Sequence, residues 1–545
     1  MAVFKTDLTL VPDLKDHASG TGPLRSQIPV YKDFLPPCNH ACPAGENIQA
    51  WLSYAQAGQF RKAWEKLVEE NPMPAIHGRV CYHPCEGSCN RATMDTSVSI
   101  HAIERYLGDL AEENNWQFPK PLNRSGKKIL IIGAGPSGLS AAYHLSKMGH
   151  EVDVYEAGPV AGGMMNFGIP AYRLPRKILQ SEIKRIENLG VRFKLNYKVN
   201  DVIVEKQQGN YDAVFIAIGA QIGKKTDIPA REAGKILDAV TFLKDVEMGL
   251  KPQIGRRVAI YGGGNTAMDA ARIAKRLGAE EALIIYRRDK EHMPAHEFEA
   301  DEALSEGIKI HWLRTIKNLD STSITVEKMD LVDGKPIPSG TFETLEADSL
   351  ILALGQDTDT HFLKGIPGIM MNEDGTVVVN DQMMTGSPGI FAGGDMIPSQ
   401  RSVTIATGHG KKAARNIHAW LMNDTFIKKE NNAIITADLL NVWFRTQAPA
   451  KEQGHVAPVI AVQGFDEIVA GYSESEAKYE AQRCLSCGNC FECDGCYGAC
   501  PIDAIIKLGP GNRYKFDYAL CTGCAVCAEQ CPCHAIEMGE EKTLR

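Results

Sequence analysis

The sixteen cysteines of this 545-residue sequence offer its clearest chemistry, and they fall into two groups. Five lie within residues 38–89 and eleven within residues 484–533, while the long stretch between them contains none. A secreted disulfide scaffold would be short and would spread its cysteines through the fold. The clustering instead predicts iron–sulfur modules on both sides of a thiol-free central region.

Two runs near the C-terminus have the C-x2-C-x2-C-x3-C-P spacing of bacterial iron–sulfur proteins, which predicts two 4Fe–4S clusters. Zinc is the alternative, but a tetrahedral zinc site does not explain the Cys-Pro endings. In two-cluster ferredoxins the fourth cysteine of each run binds the cluster of the other run. The first cluster would therefore use Cys490, Cys493, Cys496 and Cys531, and the second would use Cys521, Cys524, Cys527 and Cys500.

A glycine turn between an apolar strand and a helix, KKILIIGAGPSG at 127–138, predicts a first dinucleotide site. Glycines let the backbone approach a pyrophosphate closely, and the N-terminus of the helix attracts its negative charge. Glu156 ends the next strand, where its carboxylate can accept hydrogen bonds from an adenosine ribose. The turn residues concerned are Gly133, Gly135, Pro136, Ser137 and Gly138.

A second unit of the same type begins at Arg257 and contains the turn GGGNTA at 262–267. The strand after it ends in Arg287 and Arg288, where the first unit has Glu156. Two guanidinium groups at this point can neutralise a 2′-phosphate, which favours NADP(H) over NAD(H). The alternative is that both arginines simply occupy an exposed strand end.

A third glycine segment, GIFAGGD at 389–395, precedes a helix that starts near VTIATGHG. Asp395 can bind the ribityl chain of a flavin, and the helix N-terminus could hold negative charge on the reduced ring. A simple strand-to-helix turn is the alternative reading. Two further apolar strands, at 212–219 and 348–355, also end on a glycine.

These sites need an ordered scaffold, which the periodicity of the sequence predicts. Helical spacing of Trp51, Trp64 and Leu67 indicates a small all-α iron–sulfur domain, and each β-α-β unit indicates a Rossmann-like domain. The predicted fold class is therefore an α/β core of two Rossmann-like domains, preceded by the all-α domain and followed by an α+β ferredoxin-like domain. The predicted segments are an arm at 1–36, the helical iron–sulfur domain at 37–120, the FAD-binding domain at 127–250 and 351–420, the NAD(P)H-binding domain at 251–350, a polar linker at 421–482 and the two-cluster domain at 483–545.

Composition excludes several classes of function. The formal net charge is −8, so the sequence lacks the basic signal of a nucleic-acid-binding protein. No apolar run approaches the ~18 residues that span a membrane, and charges interrupt the apolar runs of the N-terminus. We therefore expect a cytoplasmic protein with no nucleic-acid partner and no membrane insertion.

Seven motifs in order across residues 37–420 resemble the small subunit of NADPH-dependent glutamate synthase, and also its relatives. These are the flavin portion of dihydropyrimidine dehydrogenase and the large subunit of the NADH-dependent ferredoxin:NADP oxidoreductase. The motifs are GRVC at 78–81, CEGSC at 85–89, VSIHAIERY at 98–106, GAGPSGL, GGMMNFGIPAYRLP at 162–175, GGGNTAMD and YRRD.

The resemblance implies FAD bound by Gly133, Gly135, Gly138, Glu156, Gly163 and Asp395, and NADP(H) bound by Gly262, Gly264, Asn265, Thr266, Arg287 and Arg288. The family often has Asp where this sequence has Asn265. To these sets we add, as further candidates, Pro136, Ser137, Arg173, Gly219, Gly394 and Thr404 for FAD and Gly355 for NADP(H).

The resemblance also suggests a use for Cys484 and Cys487, which the two ferredoxin runs leave over. The family opens its N-terminal domain with R-C-L-x-C-G, which this sequence lacks there but has at 483–488. We hypothesise that this pair folds back to join Cys38 and Cys89 in a third cluster. The alternative is that Cys484 and Cys487 are unused relics.

A fourth cluster would then take Cys42, Cys81 and Cys85, with the Glu104 carboxylate where a relative uses a glutamine side chain. A surface salt bridge is the alternative role for Glu104. We expect Cys533, the remaining thiol, to be a buried spare.

The expected function is an NADPH oxidoreductase or electron-transfer subunit that moves electrons between NADP(H) and a ferredoxin or partner redox enzyme, as part of a hetero-oligomer. A flavin connects two-electron hydride chemistry to one-electron clusters, so we expect FAD, NADP(H) and 4Fe–4S clusters and no catalytic acid or base. The alternatives are a glutamate synthase small subunit and a non-catalytic scaffold that carries clusters.

Overall fold

The computed structural model describes residues 25–541 except 225, 227, 230–234, 428, 429, 444 and 510. Residues 1–24 of the predicted arm therefore lie outside the described residues. In the described part of the chain, no helix combines the length and apolarity needed to cross a membrane.

The N-terminal domain is all-α, as expected, and it positions two sets of candidate ligands. Helices α4 (Pro74–Val80) and α6 (Ile100–Glu113) pack so closely that a Cβ on Gly78 would lie 2.3 Å from the Arg105 backbone nitrogen. This crossing places Cys81, at the end of α4, against the helix that carries Glu104. Strand β1 (Gln27–Tyr31) precedes this domain, whose helices are α1 (Pro37–Ala41), α2 (Ile48–Gln56), α3 (Phe60–Leu67), α4 (Pro74–Val80), α5 (Pro84–Gly87) and α6 (Ile100–Glu113).

The first dinucleotide-binding domain is built on a five-stranded parallel sheet. Its first strand in the chain, KILII at 128–132, is almost entirely apolar. Burial on both faces explains that apolar run. Its elements are β2 (Lys128–Ile132), α7 (Pro136–Lys147), β3 (Glu151–Tyr155), α8 (Met164–Phe167), α9 (Arg176–Glu187), β4 (Arg192–Lys194), α10 (Val202–Gln208), β5 (Ala213–Ile216) and β6 (Ile222–Gly223).

The second dinucleotide-binding domain has its own parallel sheet and an antiparallel three-stranded sheet beside it. Its elements are β7 (Lys235–Asp238), α11 (Ala239–Glu247), β8 (Arg257–Tyr261), α12 (Asn265–Arg276), β9 (Glu281–Tyr286), α13 (Glu297–Ser305), β10 (Lys309–Trp312), β11 (Arg314–Leu319), β12 (Ser323–Val332), β13 (Lys335–Glu346) and β14 (Ser349–Leu352). The strand order of the parallel sheet is β10-β9-β8-β14-β7.

The chain then returns to the first domain through β15 (Gln356–Asp357), β16 (Ile390–Ala392) and α14 (Val403–Leu421). Strand β16 completes the strand order β16-β5-β2-β3-β4, and β15 pairs with β6. The predicted domain boundaries at 250 and 350 are corrected by the pairing. Strand β7 lies in the second sheet although it precedes residue 250, and residue 350 falls inside β14. The sequence of β7, KILD, is too short and too polar to be recognised as a strand of the second sheet.

The C-terminal part corrects two further boundaries. The predicted arm includes strand β1, which pairs antiparallel with β19 (Ile536–Glu540) in a two-stranded sheet. The predicted linker includes a capped helix, α16, that packs against α2 and α6. The elements are α15 (Pro458–Ala461), α16 (Glu474–Gln482), α17 (Gly495–Ala499), β17 (Ile505–Ile506), β18 (Lys515–Phe516), α18 (Val526–Glu529) and β19 (Ile536–Glu540).

A buried arginine network joins the start of the C-terminal cysteine module to the N-terminal domain. Arg483 donates to the Asp95 carboxylate at 3.1 Å, to the Thr96 carbonyl at 2.7 Å and to the Ala448 carbonyl at 3.0 Å. Arg91 also binds Asp95 and donates to the Arg483 carbonyl at 3.2 Å. The Arg483 side chain is 2% exposed, so these bonds are shielded from water.

Replacement of Arg483 tests how strongly this network holds the two ends together. We expect Arg483→Leu to lower the free energy of unfolding by about 3 kcal/mol, because Asp95 and several carbonyls lose a buried partner. Anaerobic thermal unfolding measures this effect, with Lys184→Met in an exposed ion pair as the control. Equal unfolding midpoints for the two variants would contradict this role for the network.

Candidate cofactor sites

One cavity of about 320 Å³ lies between the two dinucleotide-binding domains, at the carboxyl ends of their parallel strands. Ligands of open parallel sheets bind at this edge. Thirteen of the predicted nucleotide residues line the cavity: Gly133, Gly135, Pro136, Ser137, Glu156, Gly163, Arg173, Gly219, Gly394, Asp395, Asn265, Thr266 and Gly355. Six others do not line it: Gly138, Thr404, Gly262, Gly264, Arg287 and Arg288.

The first glycine turn has the shape that a pyrophosphate requires. Gly133 has φ +103°, and a Cβ there would lie 2.4 Å from the Ala217 carbonyl oxygen. Gly138 serves packing rather than binding, since its Cβ would lie 2.0 Å from the Gly133 carbonyl oxygen. Ser137 Oγ is buried at the start of α7 and has no protein partner within the described residues. A phosphate oxygen would satisfy that hydroxyl, so the turn fits FAD.

The carboxylate of Glu156 is held rigidly at the edge of the same cavity. It accepts hydrogen bonds from the backbone nitrogens of Ala134, at 2.8 Å, and Gly158, at 2.7 Å. Each carboxylate oxygen can accept more than one hydrogen bond. Both oxygens can therefore also accept from ribose hydroxyls, which fits the adenosine end of FAD.

Asp395 lies at the other end of the cavity, after strand β16. Burial raises the pKa of its carboxyl to about 6, and Arg401 acts in the opposite direction. A flavin hydroxyl would give this desolvated carboxylate a hydrogen-bond donor. Thr404 is different, because it is buried on α14 and bonds the Cys81 thiol instead of facing the cavity.

The second glycine turn lies across the cavity from the first. Gly262 has φ +151°, and a Cβ there would lie 2.2 Å from the Ala353 carbonyl oxygen, so the turn excludes larger residues. Arg288 Nε is buried without a protein partner among the described residues, while Arg287 is exposed. Both stand past the end of β9, outside the cavity, where a 2′-phosphate of an extended dinucleotide could reach them.

Arg173 faces the cavity, but its charge is already neutralised. Its guanidinium pairs with Asp269 at 3.0 Å and with Glu299. The sequence offered no sign of this pairing, because the three residues are far apart in the chain. The arrangement favours a role for Arg173 in joining the two domains.

The eight C-terminal ligand candidates form two groups, and in each group the fourth cysteine comes from the other run. Cys500 lies with Cys521, Cys524 and Cys527 around one small cavity. Cys531 lies close enough to interact electrostatically with the thiols of Cys490, Cys493 and Cys496. Burial and neighbouring thiols raise the pKa of Cys496 and Cys527 to about 12. Iron would stabilise these thiolates, so the donor sets fit clusters.

The structure brings Cys484 and Cys487 to the N-terminal domain. Together with Cys38 and Cys89 they line a single small cavity. Burial raises the pKa of Cys484 to about 11 and that of Cys487 to about 12. Four thiols around one cavity form a donor set that fits a 4Fe–4S cluster. None of the sixteen cysteines forms a disulfide.

The remaining three N-terminal thiols, Cys42, Cys81 and Cys85, lie near Glu104. This carboxyl is 6% exposed and forms no ion pair with any described residue, so the surface salt bridge is excluded. Burial and the neighbouring Glu46 raise the pKa of Glu104 well above its usual range. Sequence reasoning missed Glu46, which shares the Asn71 side-chain amide with Glu104 at 2.9 and 2.8 Å.

Cys533 is buried, as expected, but it is not isolated. Its Sγ lies 3.8 Å from Cys531 Sγ, within the range of a sulfur hydrogen bond. Its carbonyl accepts a hydrogen bond from the Gly488 nitrogen at 2.7 Å. Cys533 therefore contacts both the first ferredoxin-like site and the fold-back segment.

This geometry defines a flavoprotein with two dinucleotide-binding domains between two iron–sulfur modules. Residues 127–410 match the pyridine nucleotide-disulphide oxidoreductase family, and residues 33–116 match dihydropyrimidine dehydrogenase domain II, 4Fe–4S cluster. The chain belongs to the pyridine nucleotide-disulphide oxidoreductase family and is an NADPH-dependent flavin and iron–sulfur oxidoreductase. FAD, NADP(H) and 4Fe–4S clusters are therefore confirmed as its cofactors.

Relatives of known name support the same assignment. The NADP(+)-dependent formate dehydrogenase subunit beta of Moorella thermoacetica is 35% identical, over 84% of this chain and 71% of that protein. The NADPH-Fe(3+) oxidoreductase subunit beta of Geobacter sulfurreducens is 32% identical, over 83% and 75%. The glutamate synthase (NADPH) small chain of Escherichia coli is 32% identical, over 71% and 89%. The expected resemblance is thus confirmed.

The fold-back site can be tested by counting iron. Four 4Fe–4S clusters would hold ~16 irons per chain, and the double variant Cys484→Ser, Cys487→Ser should lose ~4 of them. Iron and acid-labile sulfide assays on anaerobically purified protein measure the loss. Cys533→Ser is the matched control, because it removes a buried neighbouring thiol that is no proposed ligand. An unchanged iron count in the double variant would refute the site.

The two arginines after β9 can be tested by cofactor selectivity. Each charge-assisted bond to a 2′-phosphate should contribute about tenfold to affinity, so Arg288→Ala should raise the KM for NADPH about tenfold. The KM for NADH should stay unchanged, because NADH lacks that phosphate. Lys290→Ala, at an exposed cation nearby, is the control. An equal rise for both cofactors would argue against a phosphate contact.

Proposed function

We propose that this chain is the NADP(H)-linked electron-transfer subunit of a larger redox complex. Its partner would be a ferredoxin or a redox enzyme that exchanges single electrons with the C-terminal clusters. The observation that carries the proposal is that cysteines lie both next to the dinucleotide cavity, at Cys81, and at the protein surface, at Cys524. When bound, FAD supplies the exchange between hydride transfer and one-electron transfer.

The order of the thiol sites supports an electron path that leads from the dinucleotide cavity to the protein surface. Cys81 adjoins the dinucleotide cavity through its neighbour Tyr82, and the site of Cys42, Cys81 and Cys85 would come first. The fold-back site would come next, and the two ferredoxin-like sites last. Cys524 is exposed, which brings the last site within reach of a docked partner.

The chain itself binds and positions rather than performing acid–base chemistry. The glycine turns would hold two dinucleotides with their reactive rings in one cavity, and such positioning is the main requirement of hydride transfer. The flavin core has no cysteine, so a disulfide relay of the thioredoxin reductase kind is absent from the sequence there. Electrons would therefore leave through the iron–sulfur sites.

The ferredoxin-like domain favours a partner other than the glutamate synthase large subunit. The match to the glutamate synthase small chain covers 89% of that protein but only 71% of this chain. The matches to the formate dehydrogenase and NADPH-Fe(3+) oxidoreductase beta subunits cover more of this chain, 84% and 83%. A low-potential partner such as a formate, aldehyde or 2-oxoacid oxidoreductase fits best. A cytoplasmic location suits the many reduced thiols.

An anaerobic titration with NADPH tests the function directly. We expect NADPH to bleach the visible flavin band and then to produce the electron paramagnetic resonance (EPR) signals of reduced clusters. Purification from the native host would identify the partner. Bleaching without cluster signals would contradict the electron path, and a flavin that NADPH leaves oxidised would favour the scaffold alternative.

Cys524→Ser tests the exit from the chain. Loss of one ligand at the exposed site should slow reduction of a one-electron acceptor about tenfold or more, while NADPH still bleaches the flavin at the native rate. Stopped-flow absorbance separates the two steps. Cys533→Ser again serves as the control. Native acceptor reduction by Cys524→Ser would place the exit elsewhere.

A further inference from the structure

We propose that Tyr82 gates the NADP(H) site and couples its occupancy to Cys81, a ligand of the first iron–sulfur site. The inference rests on the proposed function, because it takes NADP(H) to bind at the N-terminus of α12 and a cluster to bind Cys81. Tyr82 belongs to no nucleotide motif, so sequence reasoning passed over it.

The backbone carries Tyr82 out of the iron–sulfur domain and into the dinucleotide cavity. Helix α4 ends immediately before Cys81, and His83 turns the chain with a left-handed φ of +39°. The side chain between these points lines the cavity together with Asn265 and Thr266, which begin α12. Tyr82 is thus adjacent in the chain to a candidate cluster ligand and in contact with the candidate NADP(H) site.

Two residues of the NADP(H)-binding domain hold the Tyr82 side chain. Its ring stacks on the His296 ring with centroids 3.7 Å apart and planes 16° apart. Its hydroxyl accepts a hydrogen bond from Asn265 Nδ2. Asn265 Oδ1 accepts from the His296 backbone nitrogen at 3.1 Å, so both ends of the amide are engaged.

These contacts occupy the place where a dinucleotide must arrive. The N-terminus of α12 offers the free N–H groups that bind a pyrophosphate, and the Tyr82 hydroxyl lies against the first residue of that helix. NADP(H) would have to displace the hydroxyl from Asn265 and move the ring from His296. Because Tyr82 is covalently next to Cys81, the displacement would also shift that ligand.

The opposite role is that Tyr82 is a platform on which the nicotinamide packs. A platform would stabilise the bound cofactor, whereas a gate competes with it. The two roles therefore predict opposite effects of the same substitution on affinity.

Affinity for NADP⁺ distinguishes them in the anaerobically purified holoprotein. Tyr82→Phe removes the hydroxyl that competes with NADP⁺ for the Asn265 amide. NADP⁺ should therefore bind about threefold to tenfold more tightly. His296→Ala removes the other contact and should act in the same direction. Phe298→Leu is the matched control, because its ring is exposed and lies 6.4 Å from that of Tyr82. Titration of the flavin absorbance measures the dissociation constants.

A spectroscopic measurement tests the coupling. The probe is 1,4,5,6-tetrahydro-NADP, which cannot transfer hydride, added to dithionite-reduced protein. It should change the EPR signal of one cluster in the native protein and change no signal in Tyr82→Leu. Iron and flavin contents equal to those of the native protein establish that each variant is intact.

The outcomes separate this inference from the proposed function. If NADPH bleaches the native flavin but Tyr82→Phe and His296→Ala bind NADP⁺ with unchanged or weaker affinity, the gate is refuted. If the native protein shows no change in cluster signal with the probe, the coupling is refuted. If NADPH leaves the native flavin oxidised, the proposed function itself fails.

Discussion

Buried polar contacts and strand pairing hold the C-terminal cysteine module on the N-terminal domain. Arg483 is buried against Asp95 and a series of carbonyls, so it fixes the start of the C-terminal cysteine module on the N-terminal domain. Strand β1 makes the reciprocal contact by pairing with β19. Neither end could form the fold-back site alone, because its cavity takes two thiols from each end.

This contact between the two ends of the chain explains why the thiols can be buried. A buried thiolate is costly unless a positive partner balances it, and burial raises the pKa of Cys484, Cys487, Cys496 and Cys527 to about 11 or 12. Metal binding reverses this cost, since the metal displaces the thiol proton. The folded structure and its clusters should therefore stabilise each other.

Local patterns predicted much of this molecule from sequence, and tertiary contacts account for what they missed. Glycine turns are dictated by backbone geometry, so the spacing around Gly133 and Gly262 was sufficient to find both dinucleotide turns. Arg173 and Thr404 were assigned to cofactor by position, but the structure pairs one with distant carboxylates and the other with Cys81. Strand β7 was missed because it is short and has no buried residue, and its place comes from pairing with β14, far away in the chain. Helix α16 was missed because its burial comes from α2 and α6, which are also far away in the chain.

The site around Glu104 also needs positive charge to balance its acidic groups. Glu46 and Glu104 are both buried and share one amide donor, beside the thiols of Cys42, Cys81 and Cys85. In a low-dielectric interior, five ionised groups so close together would repel one another strongly. Among the described residues, the buried ammonium of Lys411 acts on Glu46, and it also pairs with Glu70 at 2.8 Å. A single ammonium cannot balance five negative groups, so this donor set is consistent only with bound iron or with protonation of most of its members.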